Sequence, residues 1–244
     1  MAIDFPANAR IPALRQLWKL AFGDEDAFLD KFFATAYSPE RCRCVTEGET
    51  VTAALYWFDT ECGGRKFAYL YAVATHPEYR NRGLCRRLMG DTYAILAAQG
   101  YDGVLLVPQE AALRKMYASM GYRDCTAVTE VSCAAAGEPA ALRPVSGAEY
   151  ARLRRQYLPA GGVIQEGANI AFLERTAALY AGEDFLLADG MELLGNTAKA
   201  PSILTALGRA EGTFRTPDGD VPFAMFLPLK DNVPAPAYFG LAFD

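Results

Sequence analysis

The stretch that decides the reading runs from Tyr69 to Met89, YLYAVATHPEYRNRGLCRRLM. Its start belongs to an apolar and aromatic segment, residues 66–75, that reads as a strand. Its end opens a helix over about 83–98, with Leu84, Leu88, Ile95 and Leu96 inward and Gly100 as the stop. Between them lies the turn Arg80-Asn81-Arg82-Gly83-Leu84-Cys85. The first N–H groups of a helix have no partner within it and carry partial positive charge, so they hold anions. Gly83 lets the backbone approach such an anion, and Arg80, Arg82, Arg86 and Arg87 add full charges nearby. In a chain of net charge −5 this cluster needs a reason, and a pyrophosphate supplies one.

Upstream, residues 11–22 show a helical stripe of Ile11, Leu14, Trp18 and Phe22, with Pro12 suited to a first turn and Gly23 to a stop. Phe28, Leu29, Phe32, Phe33 and Ala36 mark a second helix after Asp24. Segments 43–46 and 50–58 flank Glu47-Gly48-Glu49 and read as a hairpin. Gly63-Gly64 turns the chain into strand 66–75, which completes an antiparallel meander. Downstream, 103–107 (GVLLV) reads as a buried strand, 110–119 as a helix closed by Gly121, and 122–133 as a return to the sheet.

The small, turn-rich AAAGEPAA at 134–141 is the candidate linker. Beyond it the pattern predicts a strand at 142–145, helices at 147–157, 167–181 and 199–208, and strands at 184–189, 191–194, 221–229 and 236–242. The order echoes the first half without a sequence repeat. No second arginine-rich glycine loop occurs there.

The chain has 244 residues, 52% hydrophobic and 22% charged, enough for one large domain or two modest ones. The acidic balance argues against a nucleic-acid scaffold. The six cysteines do not space as a disulfide framework, and Cys42-x-Cys44 with a single histidine completes no zinc signature. Metal ligands are therefore not expected. The start, MAIDFPANAR, lacks a secretory pattern, and no run approaches the ~18 apolar residues of a membrane span. The expectation is a cytoplasmic protein that meets neither membrane nor nucleic acid.

The turn resembles the pyrophosphate loop of the GNAT superfamily of acyl-CoA-dependent N-acyltransferases, [QR]-x-x-G-x-[GA]. Arg80 and Gly83 fill the first and fourth places, and Cys85 stands in the sixth. Thr75-His76-Pro77-Glu78-Tyr79 matches the family's approach to the loop. A second match is Met116-Tyr117-Ala118-Ser119-Met120-Gly121-Tyr122, similar to the family's helix with a Tyr before a Gly-aromatic pair. Glu110 stands near the place of an Asn that often precedes that helix. The resemblance covers residues 10–133.

The resemblance implies acetyl-CoA, or another acyl-CoA, as co-substrate. Arg80, Asn81, Arg82, Gly83, Leu84, Cys85 and Arg86 would hold it at the turn, and the backbone of Val73, Ala74 and Thr75 would hold its pantetheine arm and the oxyanion. Tyr117 would protonate the departing thiolate. Tyr69 is the candidate base or water-holder, with the chain end at Asp244 as the alternative. His76 reads as a turn residue.

The expected fold class is α/β (α+β): a GNAT-type mixed sheet flanked by helices, followed by a smaller GNAT-like α/β half. Residues 1–134 form the acyl-CoA-binding domain, and 142–244 a GNAT-like domain without cofactor motif. The expected activity is transfer of an acetyl group from CoA to a primary amine of a small molecule or peptide. A non-catalytic acyl-CoA-binding or protein-interaction module is the alternative, and a homodimer stays open.

Overall fold

The structure, a computed structural model, describes residues 2–243. The chain divides into two compact units. The first comprises residues up to Thr60, Gly64–Leu106 and Leu227–Pro234; the second comprises Glu61–Gly63, Val107–Phe226 and the residues from Ala235 on.

The first unit opens with β1 (Ala2–Asp4), α1 (Ile11–Phe22) and α2 (Asp26–Thr35). In α1, Pro12 occupies the first turn and Gly23 closes the helix at φ 79°, donating its N–H to the Lys19 carbonyl. The helix buries Leu14, Leu17 and Trp18. Phe22, expected inward, is 39% exposed, because Leu14, Leu17 and Trp18 form the buried i, i+3, i+4 stripe. The Trp18 indole donates to Asp24 at 2.7 Å, which fixes the corner between the helices.

Strands β2 (Cys42–Glu47), β3 (Thr50–Cys62) and β4 (Arg65–Thr75) follow. The sheet order is β1-β2-β3-β4, then β5 (Gly103–Leu106). β2 runs antiparallel to β1 and β3, whereas β4 and β5 are parallel, so the sheet is mixed. Val51 to Phe58 are buried without alternation, as expected of a strand covered on both faces.

The crossover from β4 to β5 is α3 (Leu84–Ala98), which buries Leu84, Leu88, Met89, Thr92 and Leu96. Buried Arg43 of β2 pairs with Asp91 of α3 and donates to the Ile3 carbonyl at 3.2 Å. One guanidinium thereby ties two strands to the helix. Residues 227–234 are fastened by Leu229 N–H to the Asp102 carbonyl (2.9 Å) and by Lys230 to the Asp102 carboxylate (2.9 Å).

The second unit contains α4 (Ala111–Ala118), β6 (Arg123–Asp124), β7 (Ala127–Ala134), β8 (Arg143–Pro144), α5 (Gly147–Tyr157), β9 (Ile164–Gln165) and α6 (Ala168–Thr176). It continues with β10 (Leu179–Ala181), β11 (Phe185–Ala188), β12 (Glu192–Gly195), α7 (Ala200–Leu207), β13 (Glu211–Pro222) and β14 (Met225–Pro228), whose last two residues group with the first unit. An antiparallel sheet of order β12-β11-β10-β8 forms one layer. β7 and β13 make a separate two-stranded ribbon, with a bulge between Thr216 and Val221.

Four segments differ from their sequence reading. The strand expected over 221–229 is broken at Phe223–Ala224: Met225–Pro228 is one strand, and Glu211–Pro222 is a separate strand that the sequence reading did not give. The helix expected over 167–181 stops at Thr176, and Leu179–Ala181 pairs with β11, burying Leu179 and Ala181. Only Arg123–Asp124, not all of 122–133, pairs with β14; β7 pairs with β13 instead. The tail expected as strand 236–242 makes a single bridge, Gly162 to Tyr238, yet Tyr238, Phe239, Leu241, Ala242 and Phe243 are buried. Backbone bonds hold its start, Ala237 N–H to the Gly161 carbonyl and Val163 N–H to the Tyr238 carbonyl (both 2.9 Å), and side chains meet the next carbonyls, Arg215 at Gly240 (3.1 Å) and Gln165 at Leu241 (2.9 Å).

Candidate functional site

Strand β4 outruns its parallel neighbour. The β4–β5 register covers Phe67 with Gly103, Ala68 with Val104 and Tyr69 with Leu105, while β4 itself continues to Thr75. Three residues past Tyr69, the last residue paired with β5, Ala72 sits at φ 48°, an uncommon value for a residue with a side chain. Val73, Ala74 and Thr75 follow it on the strand. Nothing in the run YAVAT signals it, since no glycine stands there.

The chain then makes a short turn of 3-10 helix, Pro77–Tyr79. His76 holds it: its N–H donates to the Thr52 carbonyl (2.8 Å), and its Nδ1 accepts from Glu78 N–H (3.3 Å). The Tyr79 ring lies edge-on to His76 at 5.3 Å and under the Arg82 guanidinium at 4.8 Å. Glu47 accepts from the Tyr79 hydroxyl and holds its pKa above the ordinary phenol value. The Arg80 Nε donates to the Thr75 carbonyl (3.3 Å), and Arg82 to the Glu78 carbonyl (2.9 Å). The turn is thus ordered by its own contacts.

Gly83 caps α3 at φ 71°, a left-handed conformation that glycine adopts without penalty. A side-chain carbon built there meets nothing within 4 Å. Arg87 N–H donates to the Gly83 carbonyl (3.1 Å), so the amides of Leu84, Cys85 and Arg86 come ahead of the helix's own bonding. Asn81 also has positive φ, 62°. Arg80, Asn81, Arg82, Gly83, Arg86 and Arg87 are exposed, and Leu84 is buried. Cys85 is half-buried, with its sulfur 3.7 Å from that of Met89. Burial pushes its thiol up, only partly offset by Arg86, so it stays protonated at neutral pH. The result is an exposed, glycine-capped helix start with exposed arginines close by in sequence, a setting suited to a diphosphate.

Tyr69 is buried on β4. Its ring stacks on Phe58 (6.0 Å, 22°) and lies 6.2 Å from Tyr71. This aromatic layer continues through Tyr71 to Trp18 (5.6 Å) and Phe32 (5.8 Å).

Tyr117 belongs to the second unit, at the end of α4. It is buried, and its ring meets Tyr122 at 5.8 Å and 61°. The turn that follows folds back, with Met120 and Tyr122 N–H both donating to the Tyr117 carbonyl (2.9 and 3.2 Å) and Gly121 at φ 98°. Glu110 is the N-cap of α4, through its carbonyl to Arg114 N–H (3.0 Å) rather than its side chain. Asp244 lies outside the described residues. Among those described, no three His, Cys, Asp or Glu side chains group to hold a metal ion, and no helix is long and apolar enough to cross a membrane.

The family model described as "Acetyltransferase (GNAT) domain" matches residues 3–125. The chain belongs to the GNAT acetyltransferases, whose reaction is acyl transfer from coenzyme A. Solved structures share the fold well beyond the matched residues. A GCN5-related N-acetyltransferase from Anabaena variabilis superposes with TM-score 0.70 at 16% identity, over 94% of this chain and 73% of its own. One from Kribbella flavida gives 0.65 at 18%, over 93% and 72%. Eis1 from Mycobacterium abscessus gives 0.67 at 12%, over 94% and 74%. No curated protein matches the chain.

Proposed function

We propose that this protein transfers an acetyl group from acetyl-CoA to a primary amine by direct attack. The observation that carries the reading is the exposed start of α3 at Gly83, tied by Arg80 to the end of a strand that outruns its neighbour.

In this reading the amides after Gly83, with Arg80, Arg82 and Arg86, bind the diphosphate of the co-substrate. The backbone of Val73, Ala74 and Thr75 pairs with the pantetheine arm and donates to the oxyanion. The neutral amine attacks the thioester carbon and forms the N–C bond. The C–S bond then breaks and leaves its electron pair on sulfur. Tyr117 gives that sulfur its phenolic proton and regains one from the proton the amine has lost. Tyr69 is the candidate to relay the amine's proton. Residues 142–244 are read as a GNAT-like half that carries no cofactor motif.

The departures at Cys85 and Glu110 favour a second reading, an acyl-CoA-binding module without turnover. Thiol release from acetyl-CoA across a panel of amines separates the two. Release that depends on an amine supports transfer; binding without release across the panel supports the module.

A further inference from the structure

We propose that Arg114 is a positioning residue for Tyr117, holding the short helix α4 in the orientation that proton transfer needs. The inference rests on the reading of Tyr117 as the proton donor.

An eight-residue helix has few bonds of its own and does not fix its own rotation. Among the residues of α4 only Tyr117 is buried, so apolar packing offers little else to orient the element. Arg114 precedes Tyr117 by one helical turn and therefore lies on the same side of the helix. Its guanidinium is used as a three-way fork. One nitrogen pairs with the Asp124 carboxylate of β6. The other donates to two successive carbonyls, Pro222 and Phe223, each at 3.0 Å.

Those carbonyls lie where the chain passes from β13 to β14, and β14 in turn pairs with β6 through Met225 with Asp124 and Phe226 with Arg123. Arg114 therefore docks α4 onto a framework that is itself hydrogen-bonded. The Tyr122 ring, one residue before β6, completes the support by meeting Tyr117 edge-on. A planar fork with donors in fixed directions can serve three acceptors at once, which a lysine cannot. A small displacement of a reacting group costs rate out of proportion to the stability involved.

The test is a double-mutant cycle in steady-state kinetics with acetyl-CoA and an accepted amine. Tyr117→Phe should lower kcat about 100-fold, the lower range for loss of a general acid. Arg114→Ala should lower kcat about tenfold with the KM for acetyl-CoA within about twofold, as for a misplaced group. In the Tyr117→Phe background Arg114→Ala should cost nothing more, because a residue that acts through Tyr117 has nothing left to position. Arg114→Lys should recover only part of the loss.

Circular dichroism checks that Arg114→Ala is folded. If it is not, Asp124→Asn, which removes one arm of the fork, replaces it in the cycle with a smaller expected loss and the same dependence on Tyr117. An equal fold-loss in both backgrounds, or an unchanged kcat, overturns the role of Arg114. Full activity of Tyr117→Phe overturns the reading of Tyr117 itself, and the two failures are told apart by which variant keeps its kcat.

Discussion

Arginines stand in opposite settings in the two units. At the start of α3, Arg80, Arg82 and Arg86 are exposed, close in sequence to an open helix end. In the second unit Arg154 is 2% exposed and forks onto Glu192 at 2.7 and 2.8 Å, with its remaining nitrogen on the Val163 carbonyl at 2.9 Å. Tyr150 and Tyr238 hydroxyls also donate to Glu192, at 3.3 and 2.9 Å. The inner arginine already has its anion and its acceptors, so it organises the fold. The outer ones border amides that a helix leaves unbonded, so they suit a ligand. Residue type alone does not separate the two uses; burial does.

The comparison is broken most severely from the inside. Glu192→Leu would leave the Arg154 charge buried and unpaired, at a cost of about 3–5 kcal/mol. The expected result is a large drop in the urea midpoint of the second unit. A midpoint near that of the parent would mean that the pair contributes no more than a surface contact.

On the outer side, Arg80→Ala should leave the thermal midpoint within a few degrees and weaken acetyl-CoA binding by about tenfold, the scale of a hydrogen bond to a charged group. The difference should shrink as salt is raised, because exposed charges are screened. Binding that is weakened equally at all salt concentrations would argue against a charge contact.

The smallest expected effect is at Asp102. Lys230 holds its carboxyl below the ordinary value of 3.8, helped by the Lys66 N–H and Arg65. A depressed carboxyl contributes stability that is present above 3.8 and is lost as pH falls through the folded-state value. The ion pair is close to the surface, so at most about 1 kcal/mol is at stake. Asp102→Asn should flatten the acid limb of the stability curve slightly; an unchanged limb would show that the pair does not couple to folding.

Much of the first unit was legible because its signals are local. Pro12 and Gly23 bound α1, Gly63-Gly64 marks the turn before β4, and Gly83 with its arginines marks the start of α3. The C-terminal half was harder to read because its elements are decided by distant partners. Leu179–Ala181 is a strand through pairing with β11, and the tail from Tyr238 is buried through Gln165, Arg215 and the Gly162 bridge. At the site, the arginine turn could be read, whereas positive φ at Ala72 and the reach of Arg114 to Pro222 could not. No glycine stands at the former, and the latter spans a long sequence separation. An arginine one turn before Tyr117 was the available sign of the latter.

The most direct measurement is calorimetric titration of the parent protein and of Gly83→Glu with two ligands, acetyl-CoA and acetyl-pantetheine, which lacks the diphosphate. A carboxylate facing a diphosphate costs several kcal/mol, so Gly83→Glu should lose acetyl-CoA affinity by about 100-fold or more. The two proteins should bind acetyl-pantetheine alike. Equal affinity of both proteins for acetyl-CoA would contradict the account, since the start of α3 would then not be where the diphosphate lies.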